Sequence, residues 1–273
     1  MLVIDAHVHI HVCFDLSRFF GSAFSNCLQV ARLVGSESSC IPVLLLTEGR
    51  MQRVFQRIQE ETKKGNNRLG DEQTGGYLVF ATEEDESLRI QRVDGTCLFL
   101  ISGRQIVTAE RLEVLALSTV SEIPDGLPLE EAVAAVEKVG ALTVIPWGFG
   151  KWSGRRRGVL MQYLASRREG VFFVGDNGGR PNFLQFPDFQ REAPGLSLKV
   201  LPGSDALPFP SELQKVGSFG FTLQEELDLR RPGEALKRIL KKHGAAPAPF
   251  GSHESISRFA RNQMALRIWK HRI

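Results

Sequence analysis

Histidine is scarce in this chain and unevenly placed. Of 273 residues only six are histidine, and none lies between His11 and His243. With the histidines confined to the first strand and the tail, no Ser-His-Asp set is visible, and no G-x-S-x-G stretch occurs. Cysteine is also sparse. Cys13, Cys27, Cys40 and Cys97 are scattered without a C-x-x-C pair, which argues against a zinc ribbon or a disulfide scaffold and for a reduced protein. No run is apolar for long enough to span a membrane. The apolar run at the N-terminus is interrupted by Asp5 and the histidines, so no signal peptide is expected and the cytoplasm is the expected compartment. No G-x-G-x-x-G follows the first strand, which removes the usual dinucleotide signature. The net charge of +3 is too small to call for nucleic acid; the basic excess is local, in "KWSGRRRG" and the last third of the chain, and reads as solvated helix faces.

What is present is a globular composition, 42% hydrophobic and 24% charged, of a length that suits one domain over residues 1–273. Strand and helix patterns alternate. Residues 2–10, 41–47, 141–148, 170–176 and 196–205 read as strands, and 16–34, 51–64, 128–140 and 155–168 as helices. "IPVLLLT" is apolar on both faces, as buried parallel strands are. Residues 76–119 differ: short strands separated by turn residues form a β-rich segment. C-terminal helices follow over 232–273, the last of them expected to bury Ile256, Phe259, Met264 and Ile268. Repeated strand–helix units imply a parallel sheet, either open or closed into a barrel.

The most informative stretch is the opening "MLVIDAHVHIH". Side chains alternate along a strand, so Asp5, His7, His9 and His11 are expected on one face, with Ile4, Ala6, Val8 and Ile10 on the other. Buried polar groups need partners. Two imidazoles two residues apart on a strand can lean together and reach one ion at roughly 2.0–2.1 Å. His7 and His9 are the expected ligand pair, with Asp5 as an acceptor orienting an imidazole and His11 at the rim. The competing reading is a buried, hydrogen-bonded polar set without an ion.

"IDAHVHI" resembles the first-strand motif of two related groups of metallohydrolases, the amidohydrolase superfamily and the polymerase-and-histidinol-phosphatase (PHP) domain. "LPGSDAL" (201–207) resembles the Gly-Ser-Asp that ends their late strands, and "GRQIVTAERLEVLAL" (103–117) a PHP segment in which a glutamate ligand follows a glycine. The resemblance implies an α/β fold, a distorted TIM-like (β/α) barrel with the β-rich segment as an insertion. It also implies that Asp205 is a metal ligand or general base. Gln105 stands where the PHP glutamate would, and the further histidines of the middle strands are missing, so the ligand set is reduced. Glu48 and Asp176 fall at the expected C-terminal ends of strands, where barrel active sites are built; Glu48 is a candidate catalytic carboxylate and Asp176 a candidate ligand.

The glycine-rich "PWGFGKWSGRRRG" follows a strand and opens a helix, a place where free N–H groups and added cations can hold an anion. Lys151 is the first candidate there for catalysis or substrate binding, with Arg155 and Trp147 beside it and Arg180 in "DNGGRP" as a second contact. His243, His253 and His271 are expected at the surface. Two histidines and a carboxylate leave an open coordination position, as catalytic sites do. The sequence therefore reads as a metal-dependent hydrolase using Zn, Mn or Fe and a metal-activated water, with Asp205 and Glu48 as catalytic carboxylates. The expected substrate is a phosphoester or other small anionic molecule, with nucleic acid ranked last and no membrane association. The alternative is an inactive barrel that binds a small anionic ligand or a protein partner.

Overall fold

The computed structural model describes all residues except 37–38, 71–75, 168–170, 188–195, 243–246 and 271–273. The elements run β1 (Leu2–Val8), α1 (Leu16–Leu33), β2 (Ile41–Leu46), α2 (Val54–Lys63), β3 (Arg68–Leu69), β4 (Tyr77–Ala81), β5 (Ser87–Gln91), β6 (Cys97–Ile101), β7 (Gly103–Val107) and β8 (Glu113–Leu117). They continue with α3 (Leu129–Lys138), β9 (Leu142–Pro146), α4 (Gly154–Ser166), β10 (Val171–Asn177), β11 (Ser197–Gly203), a 3-10 turn at Pro210–Lys215, β12 (Gly220–Leu223), α5 (Pro232–Lys241), β13 (Ala248–Phe250) and α6 (Ile256–Lys270).

These strands form two mixed sheets, and the expected barrel is not formed. One sheet has the order β13-β12-β1-β2-β6-β5-β4-β3 and the other β11-β10-β9-β8-β7. The reason lies in the helix-free segment after α2. Without crossover helices its strands can only turn back on themselves, so β3 to β6 pair antiparallel at one end of the first sheet and β7 with β8 in the second. Among the described residues the parallel ladders are β1–β2–β6 and β9–β10–β11, with single parallel bridges at Glu48–Arg104 and Pro181–Glu254. The β-rich segment is thus divided between the sheets.

Alternation along each strand sorts side chains between the sheets or against the helices outside. Leu2, Ile4, Val43, Leu45, Leu115, Leu117, Val144, Phe173 and Leu201 form a core between the sheets, closed at one end by Leu236 and Leu240 of α5. On the outer face of the first sheet, Leu44 and Leu46 meet Phe19, Phe20 and Phe24 of α1 and Phe55 of α2. On the outer face of the second, Ile145 and Val174 meet Val133 and Val136 of α3 and Leu160 of α4. A fully buried Leu or Phe side chain contributes about 1.5–3 kcal/mol.

The sheets approach along two seams. At one, Asp205 N, just beyond β11, donates to His7 O near the end of β1 at 2.8 Å. At the other, Glu48 N donates to Gly103 O at 3.0 Å and Gln105 N to Glu48 O at 2.9 Å. Gly203 permits the first seam: a Cβ there would sit 2.5 Å from His7 Cβ and 2.8 Å from His7 Cα.

The last helix departs from its expected burial. Ile256, Met264 and Ile268 are 60%, 66% and 56% exposed, while Asn262 is buried. Polar contacts hold α6 in place: Lys215 pairs with Glu212 and Glu254, Arg258 reaches Glu212, and Asn262 Nδ2 donates to Glu254. His243 and His271 lie outside the described residues.

Candidate metal centre

The opening stretch does not keep one face. The pairing of β1 with β2 advances three residues against two between Asp5 and Val8, from Asp5↔Leu44 to Val8↔Leu46. An extra residue of this kind reverses the alternation. Leu2, Ile4 and Ala6 point between the sheets, whereas Val8 and Ile10 pack against the helices. Asp5 is therefore separated from the imidazoles. Its carboxylate accepts the backbone N–H groups of His7 (3.2 Å), Ser204 (2.8 Å) and Gly217 (2.8 Å), fastening β1 to the loop after β11. Burial raises its pKa to about 6 against the pull of these bonds. The expectation that Asp5 orients an imidazole is corrected: it holds the backbone of His7.

Past the bulge, His7 and His9 converge. Their Nε2 atoms are 3.2 Å apart, and each lies 3.5 Å from Asp205 Oδ1. His7, His9 and Asp205 form a group that could hold a metal ion, with one ligand atom from each within 4.8 Å of the others. Donors bound about 2.0–2.1 Å from a tetrahedral ion stand ~3.3–3.4 Å from one another, so the three donors already have the edge lengths that such an ion requires. Burial drives the His7 imidazole below its ordinary pKa, against the attraction of Asp205, and so favours the neutral form that binds metal. Burial also works to raise the Asp205 carboxyl, but the two imidazoles and the Lys151 ammonium hold it below the usual carboxylate range. Asp205 adopts φ 46°, a left-handed conformation that Asn and Asp tolerate better than most residues. Its Oδ2 accepts from Asn177 Nδ2 at 3.0 Å, which leaves Oδ1 for the imidazoles.

Around this centre opens a cavity of about 650 Å³, lined among others by His11, Gln52, Gln105, Glu113, Lys151 and Leu207. His11 stacks on His9 with ring centres 5.3 Å apart, and its Nε2 donates to Ala206 O at 2.8 Å. Burial and the neighbouring His9 lower its pKa to about 4. Gln105 Oε1 lies 3.2 Å from His7 Nε2. Lys151 pairs with Glu113, a residue not anticipated from the sequence. The signal for Glu113 was its position in line with Leu115 and Leu117 on the inward face of β8, where a charge is out of place.

Other candidate residues are placed elsewhere, and strand alternation is the reason. Phe173 points between the sheets and Val174 outward. Asn177, four residues after Phe173, turns toward Asp205, and Asp176, two after Val174, faces away, paired with Arg180 (2.7 Å) and His253 (2.9 Å). Arg180 is committed to that carboxylate. On the strand before, Trp147 packs with Ile145 against the helices. Glu48 points out to the start of α2, where one carboxylate oxygen accepts from Val54 N (2.6 Å) and Phe55 N (3.1 Å); its neighbour Thr47 faces His9 instead. Burial raises the Glu48 pKa against those two bonds. Arg155 is exposed on the first turn of α4, outside the residues that line the cavity.

No protein-family model and no curated protein matches this chain. Solved structures do. PsfC from Pseudomonas syringae PB-5123 is 17% identical, with 98% of this chain and 97% of that one covered at a TM-score of 0.49. Endonuclease Q, in complex with a 27-mer duplex substrate carrying an abasic lesion, is 16% identical at a TM-score of 0.45. The lesion-specific endonuclease PfuEndoQ from Pyrococcus furiosus is 12% identical at 0.47. In both endonucleases 89% of this chain is covered against 57% of theirs, so it spans little more than half their length. Two of these neighbours are endonucleases by name, in contrast to the expectation that ranked a small anionic substrate first and nucleic acid last. Among the described residues no helix is long and apolar enough to cross a membrane.

Proposed function

We propose that this chain is a metal-dependent phosphoester hydrolase with its centre at His7, His9 and Asp205. One observation carries the reading: three ligand atoms separated by 3.2, 3.5 and 3.5 Å, with His9 and Asp205 at the wall of an open cavity. The Asp-x-His-x-His start and the Gly-Ser-Asp before Ala206 agree with the resemblance to the PHP and amidohydrolase groups. A divalent ion bound there would supply Lewis acidity, lowering the pKa of a water and polarising a phosphoryl oxygen.

The protein's own groups do the rest. Asn177 Nδ2 fixes the Asp205 carboxylate, and Gln105 Oε1, 3.2 Å from His7 Nε2, is a further oxygen facing the position of the ion. Lys151 Nζ, braced by Glu113, places a positive charge where a phosphoryl group would lie against the centre. The rim is open at Val12 and Cys13, so a polymer strand can lie across it without threading. The substrate class we put first is accordingly a nucleic-acid phosphodiester.

The test is hydrolysis of end-labelled single-stranded and duplex oligonucleotides, the latter with and without an abasic site, in Mn²⁺, Zn²⁺ or Mg²⁺. Bis(p-nitrophenyl) phosphate serves as the simple diester control. Cleavage that disappears in His7→Ala/His9→Ala and falls about 10²-fold or more in Lys151→Ala supports the proposal. Metal-loaded protein inert toward every diester, or cleavage untouched by the double substitution, refutes it.

A further inference from the structure

The loop between β9 and α4 carries Lys151 to the cavity of the metal centre, and its course is fixed at several points. Trp147 and Trp152 are buried in the core beneath α3 and α4. Trp147 N donates to Gly175 O at 2.7 Å. Trp147 O accepts from Asn177 Nδ2 at 2.9 Å, and the same amide donates to Asp205 Oδ2 at 3.0 Å. The start of the loop is therefore tied to the carboxylate of the centre. Lys151 N then closes a turn on Gly148 O at 2.9 Å. Gly150, the third residue of that turn, has φ 69°, a conformation that favours glycine.

Gly148 is glycine for another reason. Its φ lies outside the left-handed region, so the backbone does not call for glycine there. The lysine does. A Cβ at Gly148 would sit 2.5 Å from Lys151 Cδ, 3.1 Å from Cγ and 3.2 Å from Cε. Ordinary carbon contacts begin near ~3.5 Å. Three successive carbons of the lysine stem thus lie over the bare Cα of Gly148. From there the stem runs to Glu113, which pairs with the ammonium. The same ammonium is near enough to Asp205 to help hold its carboxyl in the charged form. A free lysine stem samples many rotamers. A flat glycine surface beneath it and a carboxylate at its far end select one.

We infer that Gly148 is a positioning residue: its bare Cα is the surface over which Lys151 reaches Glu113 and the metal centre, and a side chain there lifts the ammonium away. The expected effect on turnover rests on the hydrolase reading; the placement of Lys151 does not.

The experiment uses the full-length Gly148→Ala protein and two readouts. This variant should fold, because the atoms nearest its Cβ belong to a flexible side chain. The first readout needs no activity: acetylation of Lys151 by N-hydroxysuccinimide acetate on metal-free protein, followed by peptide mass spectrometry. Lys151 should react at least ~5-fold faster in Gly148→Ala than in the wild type, and as fast as in Glu113→Ala, the loss of one charge-assisted hydrogen bond. Exposed Lys63 and Lys64 should react alike in all three proteins. The second readout is turnover of bis(p-nitrophenyl) phosphate by metal-loaded protein. Gly148→Ala should lower kcat/KM about as far as Lys151→Ala does, with metal affinity unchanged. The double variant Gly148→Ala/Lys151→Ala should be no slower than Lys151→Ala and no less stable, since the two residues act as one unit. Equal acetylation of Lys151 in wild type and Gly148→Ala would overturn the inference. So would wild-type turnover in Gly148→Ala, or a further loss in the double variant. If the wild type cleaves no diester, the hydrolase reading fails and the acetylation rates alone decide the placement of Lys151.

Discussion

Replacing Gly203 by Ala tests how the two sheets are held together at the centre. A Cβ at this position would lie 2.5 Å from His7 Cβ, 2.8 Å from His7 Cα and closer still to His7 N. Comfortable carbon contacts begin near ~3.5 Å, so β1 must withdraw by roughly 1 Å. That withdrawal stretches the 2.8 Å bond from Asp205 N to His7 O and parts the imidazoles from the Asp205 carboxylate. Overpacking of a rigid backbone contact costs about 1–3 kcal/mol, and the weakened hydrogen bond adds about 1 kcal/mol. Denaturant unfolding measures the sum, with metal affinity as a second readout expected to fall at least ~10-fold. Gly158→Ala is the control: Gly158 lies inside α4, and nothing lies within 4 Å of its added Cβ. It should gain up to about 1 kcal/mol. A Gly203→Ala protein with wild-type stability and wild-type metal affinity would show that β1 and β11 do not hold the centre as described.

Two other substitutions separate structural from chemical roles. Glu48→Ala removes the acceptor for Val54 N and Phe55 N and should cost about 1–2 kcal/mol by chemical denaturation while leaving metal affinity unchanged; lost metal binding would return Glu48 to the centre. The third prediction concerns acid. His11 titrates near 4 in the fold against 6.5 unfolded, so between those values the unfolded chain carries more protons and stability falls as pH drops. Asp5, raised from 3.8 to about 6, runs the opposite way, its contribution present below 3.8 and lost as pH rises through 6. Comparing metal-free wild type with His11→Gln isolates the histidine. From pH 7 to pH 5 the variant should lose roughly 1–2 kcal/mol less than the wild type, and parallel unfolding curves would contradict that assignment.

Much of this architecture is written in the sequence at the level of elements. Apolar runs such as "IPVLLLT" and the striped helix of Leu129, Val133 and Val136 gave β2 and α3 directly. Closure did not follow from them. Hairpins in residues 76–119 satisfy their own backbone bonds locally, and nothing in hydrophobic periodicity says which sheet each hairpin joins. At the site, residue types at strand ends were legible but their direction was not. Counting alternate positions from the buried core selects Thr47 over Glu48 and Asn177 over Asp176, a step that needs to be told which face is inward. The bulge in β1 was beyond such counting, since the extra residue shows only in the pairing with β2. Asp205 came from a resemblance in "GSDA", whereas the partners of Glu113 and Asn177, Lys151 and Asp205 on distant segments, needed the three-dimensional arrangement. His253, expected at the surface, is drawn in by the Asp176 carboxylate.

The measurement that bears most directly on the centre is Zn K-edge X-ray absorption on protein titrated with Zn²⁺, made on wild type, Asp205→Asn and His7→Ala/His9→Ala. Asn keeps the left-handed backbone of position 205, so Asp205→Asn should fold. Wild type is expected to bind one ion per chain with two imidazole nitrogens at about 2.0–2.1 Å, Asp205→Asn to bind it at least ~10-fold more weakly, and the double variant not at all. A wild-type protein that takes up no ion, or whose imidazole signal is the same in the double variant, would contradict the existence of the centre.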